Sequence, residues 1–134
     1  MNKFNLCRML TVFAVIVGFG TVQSQQASGA MTLSAALVGK MVNGEAWYIT
    51  YGKNSTAFFA AVKGAEPFAN LKVTLGRGSD IKQITMMQAD KVGNARVTMY
   101  SSIPAIQSKD LIEVWHGKEC VASGIMEVVV PVID

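Results

Sequence analysis

The chain has 134 residues, with 12 Lys+Arg against 9 Asp+Glu and a single His. Lys3 and Arg8 stand in the first eight positions, so the remainder carries ten bases against nine acids. That balance is too even for recognition of a nucleic acid by net charge. One His and two Cys are too few ligands for a zinc or blue-copper site, and no Cys-x-x-Cys-His is present for covalent haem.

Residues 1–30 divide into a basic start (Lys3, Arg8), an apolar run over 9–20, and a small, polar stretch over 21–30. This is the order of a secretory signal, and the apolar run is shorter than the roughly 20 residues a membrane anchor requires. Small side chains one and three positions before a cut place cleavage after Ala30, with Ser24 as the alternative. Export is therefore expected, to the periplasm, the cell surface or the medium, with membrane contact only through the transient signal. A single domain over 31–134 remains, about a hundred residues, which is enough for one hydrophobic core.

Past Met31 no helical period is sustained. Short β-branched and aromatic runs alternate with Gly, Asn, Asp and Pro, which predicts strands over 32–38, 44–51, 56–62, 70–75, 81–88, 95–101, 111–116 and 119–130. In 70–75 the residues Leu71, Val73 and Leu75 take one face, with Lys72 and Thr74 on the other, as a half-buried strand demands. Ala57, Ala60 and Ala61 favour helix, but their segment is short and follows a turn-like Gly52-Lys53-Asn54, so it too reads as a strand. The expected fold is all-β: an antiparallel two-sheet sandwich of Ig-like or Greek-key type with seven or eight strands, and a small barrel as the alternative.

A turn at Gly117-Lys118 pairs His116 with Glu119, Trp115 with Cys120 and Val114 with Val121. Opposed residues share a face, so Ile112, Val114, His116, Glu119 and Val121 fall on one side. Leu111, Glu113, Trp115, Cys120 and Ala122 fall on the other. His116 and Cys120 then point apart, which opposes a Cys-His nucleophilic pair. No Gly-x-Ser-x-Gly elbow supports a hydrolase, and no acidic pair or calcium-loop spacing occurs. The methionines are scattered over strands, as core filling predicts. No cofactor is implied.

With Cys7 lost in the leader, Cys120 stands alone as a candidate reactive or intermolecular thiol, and a homo-dimer bridged through it is one expectation. In 45–51, alternation puts Trp47, Ile49 and Tyr51 inward and Tyr48 outward. Tyr48, Tyr100 and Trp115 form the candidate binding surface, since exposed aromatics supply contact area at low entropic cost. The strand-rich end of the chain is a candidate for addition to a neighbouring sheet. The sequence thus points to an exported, non-enzymatic β-sandwich binding a macromolecule, protein or glycan, in a surface or extracellular assembly. The alternative is a small exported enzyme or redox protein using Cys120 or His116.

Overall fold

The structure is a computed structural model that describes residues 31–52 and 55–129. The leader expected over 1–30, the turn positions 53 and 54, and the residues from 130 onward lie outside the described part.

Among the described residues nine strands follow in chain order: β1 (Met31–Leu37), β2 (Asn43–Tyr51), β3 (Ser55–Lys63), β4 (Asn70–Arg77), β5 (Asp80–Gln88), β6 (Ala95–Met99), β7 (Leu111–His116), β8 (Glu119–Ile125) and β9 (Glu127–Val128). There is no helix among the described residues. One antiparallel sheet has the order β6-β3-β2-β1-β9 and the other the order β5-β4-β7-β8. In the immunoglobulin order the third strand crosses to the second sheet. Here β1, β2 and β3 stay together as a meander.

The alternation read from the sequence builds the core. Leu33, Ala35 and Leu37 of β1 and Phe58 and Ala60 of β3 share one buried cluster with Leu71, Val73 and Leu75 of β4 and Ile112 and Val114 of β7. Each of these side chains is removed from water, which is the main force holding the two sheets together. Segment 55–63 is strand throughout; Phe58, Ala60 and Val62 go inward, and their burial outweighs the helical preference of its alanines.

The sheets also touch edge to edge. Val38 exchanges backbone hydrogen bonds of 2.9 and 3.0 Å with Ser123. Gly124 lies beside that bridge, where a Cβ would stand 2.1 Å from the Ala36 carbonyl oxygen, so only glycine lets β1 and β8 approach this closely.

The run expected over 119–130 is broken at Met126. This residue is fully buried, its N–H donates to Asp110, and its carbonyl accepts from Lys109. After it the chain leaves one sheet and joins the other, where Glu127 and Val128 pair with Ser34 and Leu33. The C-terminal segment therefore adds to the chain's own sheet over these two residues.

Candidate functional site

The faces of β2 are the reverse of those expected. Tyr48 is 5% exposed and packed in the core, while Trp47 and Ile49 stand half-buried on the outer face of the five-stranded sheet. The reason lies in the neighbouring strand. Leu33 pairs with Tyr48 and Ala35 with Ala46, so the inward face of β1 carries Tyr48 inward with it. Thr32, Ser34 and Ala36 take the outer face of β1.

Across that outer face the register sets residues in rows. Ser34, Trp47, Phe59 and Thr98 form one row over β1, β2, β3 and β6, and Ala36, Glu45, Ala61 and Arg96 form the next. Ile49 opposite Ala57 extends the apolar centre on the far side. Trp47 and Phe59 are a directly opposed aromatic pair, and residues so placed have Cβ atoms about 5 Å apart. They form a flat, half-buried platform between a polar strand, β1, and a polar edge, β6. Beside it lies an open cleft of about 450 Å³, lined by residues 43–45 of β2, 61–63 of β3 and 94–96 at the start of β6, among them Asn43, Glu45, Lys63, Asn94 and Arg96.

The three aromatic residues expected to form a surface are not brought together. Tyr48 is in the core, and Tyr100 is 71% exposed just beyond β6. Trp115 is half-buried on the outer face of the other sheet, its Nε1 donating to Thr74 Oγ1 at 3.1 Å. What sequence reasoning missed is the Trp47–Phe59 pair. The signal available was the clean Thr/Ser/Ala pattern on one face of β1, which through its hairpin partner fixes the face of Trp47.

The β7–β8 hairpin pairs His116 with Glu119 and Trp115 with Cys120, as the turn at Gly117-Lys118 requires. Farther in, a bulge at Val121 shifts the register, so Val114 faces Ala122 and not Val121. Ala122 is consequently a core residue, contrary to uninterrupted counting. His116 and Cys120 remain on opposite faces. His116 Nδ1 lies 3.8 Å from Glu66 Oε1, while the Cys120 sulfur lies 3.9 Å from Glu113 Oε2 and 3.5 Å from the Ala122 carbonyl oxygen. Glu113 is 0% exposed although it shares the outward-facing side of its sheet with Trp115, between Thr74 and Ser123 in register.

Two carboxylates organise loops. Asp110 takes a fork from Arg77, Nε to Oδ1 at 2.9 Å and Nη2 to Oδ2 at 2.6 Å, and also accepts the Gln107 N–H at 2.7 Å. The hydrogen bond to Asp110 raises the Arg77 pKa above its ordinary value. Asp90 accepts the N–H groups of Val92 and Asn94, both at 2.9 Å, and these bonds, Asn94's first, hold its carboxyl below the usual carboxylate range. Both are structural uses of charge. Among the described residues, no group of three or more His, Cys, Asp or Glu gathers in a way that could hold a metal ion.

No protein-family model matches this chain, and no curated protein matches it either.

Proposed function

We propose that the chain is an exported, non-enzymatic Greek-key sandwich whose outer face on β2 and β3 binds a macromolecular partner in a surface or extracellular assembly. The observation that carries this reading is the Trp47–Phe59 pair, with Ile49 beside it, on the solvent side of a sheet whose core face is filled by other residues. Aromatic side chains set in a sheet face, with the charged Glu45 and Arg96 in the next row, match the make-up of an interaction surface: an apolar centre with a polar margin. The Greek-key part of the reading rests on β6 returning beside β3 after the β4–β5 hairpin. Export rests on the basic, apolar and small-polar order of residues 1–30.

Two measurements test it. The tagged protein, recovered from its source compartment, is used for capture beside a Trp47→Ser, Phe59→Ser variant of equal thermal stability. The expected result is a partner retained by the parent and lost by the variant; capture unaffected by the double substitution sinks the reading. Mass spectrometry of the native N-terminus is expected to find Met31 first, or Gln25 if the earlier site is cut. An intact Met1 start removes the export argument.

A further inference from the structure

One end of the body carries a second surface, which adjoins the cleft beside the aromatic face and shares Lys63 with it. Three connections meet there: 38–42 between β1 and β2, 64–69 between β3 and β4, and 89–94 between β5 and β6. The second and third are hydrogen-bonded to each other, and the first lies against the second. Ala65 N–H donates to Gly93 and Phe68 N–H to Asp90, while Ala89 N–H donates to Ala69. Gly64 lies so close to Met41 that an added Cβ would stand 2.1 Å from its carbonyl oxygen.

Each connection holds a large apolar side chain in water: Met41 at 76%, Phe68 at 61% and Val92 at 64% exposed. They are not overflow from a crowded interior. Val42, Ala65, Ala69 and Ala89 from the same connections already fill the core beneath them. Phe68 is held outward at φ +63°, a left-handed backbone unusual for an aromatic residue. Lys40 and Lys91 directly adjoin Met41 and Val92, and Lys63 ends β3 just before the second connection; all three lysines are exposed, and none belongs to an ion pair among the described residues. Two acids share this end and keep their charge, Asp90 bonded to the amides of its own turn and Glu66 3.8 Å from His116, so the three lysines leave it net positive by one.

We infer that this end docks on an anionic lipid surface, with Met41, Phe68 and Val92 entering the headgroup–acyl boundary and Lys40, Lys63 and Lys91 facing the lipid phosphates. Apolar tips ringed by cations are what such a boundary favours, since it takes up hydrocarbon while its charge attracts ammonium groups. The connections that carry Phe68 and Val92 are pre-ordered by the hydrogen bonds between them, so little ordering entropy is lost there on contact.

The test is co-sedimentation of the purified protein with vesicles of phosphatidylcholine alone and of phosphatidylcholine mixed with phosphatidylglycerol. The expected result is pelleting with the mixed vesicles, weakened by raised salt. A Met41→Asp, Phe68→Asp variant should bind at least tenfold less, and Lys40→Gln, Lys91→Gln should lose about fivefold per lysine. Ile81→Asp, which changes an exposed apolar residue at the opposite end, should bind like the parent. Circular dichroism melts show that each variant is folded. The inference is overturned if the parent pellets no more with the mixed vesicles than without vesicles, or if the folded Met41, Phe68 variant pellets as the parent does.

Discussion

The contact between β1 and β8 makes a quantitative demand. Gly124→Ala would place a methyl carbon 2.1 Å from the Ala36 carbonyl oxygen and 2.9 Å from its carbon, both backbone atoms. Ordinary contact begins near 3.4 Å, so the two strands must separate by about 1.3 Å. The neighbouring Val38–Ser123 bonds, now 2.9 and 3.0 Å, would stretch to about 4 Å and cease to be hydrogen bonds. Two lost bonds at roughly 1 kcal/mol each, with at least about 1 kcal/mol of overpacking strain, give a loss near 3 kcal/mol. For a domain of this size that lowers Tm by about 12–24 °C. Urea unfolding followed by tryptophan fluorescence measures it. Gly117→Ala is the control: its φ is +65° but nothing lies within 4 Å of the added methyl, so only the conformational cost of about 1 kcal/mol remains. A Gly124→Ala loss under about 1 kcal/mol, or one no larger than the control's, refutes the close-approach argument.

Three further expectations concern charge and facing. Asp110→Asn keeps an acceptor for Gln107 but breaks the charged fork with Arg77, so a loss of about 1–2 kcal/mol is expected in the same urea assay. Asp90 has a lowered carboxyl pKa, so its contribution to stability is complete above its ordinary value of 3.8 and fades as pH falls through the lowered one. The gap in Tm between the parent and Asp90→Asn should therefore be constant above about pH 5 and close in stronger acid; a gap that widens there contradicts the assigned hydrogen bonds. Tyr48→Ala should cost about 3 kcal/mol and Tyr100→Ala under about 0.5, which equilibrium unfolding separates cleanly.

Strand positions were legible because period-two patterns and Gly, Asn or Asp punctuation are local properties. Seven of the eight expected runs match single strands within one or two residues at each end, and the eighth spans β8 and β9. The facing of β2 was not legible from β2 alone, because both its sides are apolar: Ala46 and Tyr48 on one, Trp47 and Ile49 on the other. Facing is set by pairing, and β1, with Thr32 and Ser34 opposed to Leu33 and Ala35, is the strand that decides it. The Val121 bulge escaped for another reason. Inserting one residue leaves no mark in composition, yet every side chain beyond it changes sides. The loop end with Met41, Phe68 and Val92 was invisible to periodicity altogether, since its residues come together only through the meeting of three separate connections, two of them hydrogen-bonded and the third in close approach.

The passage of the chain through Met126 has a consequence for how the protein can be handled. Glu127 and Val128 lie along β1 and shield part of an edge that would otherwise offer unpaired amides and carbonyls to any passing strand. Removing everything from residue 126 onward would uncover that edge and the hydrophobic interior behind Met126 together, inviting chain-to-chain aggregation. An affinity handle is therefore better placed at the exposed Gly117-Lys118 turn than by trimming and extending the final strand.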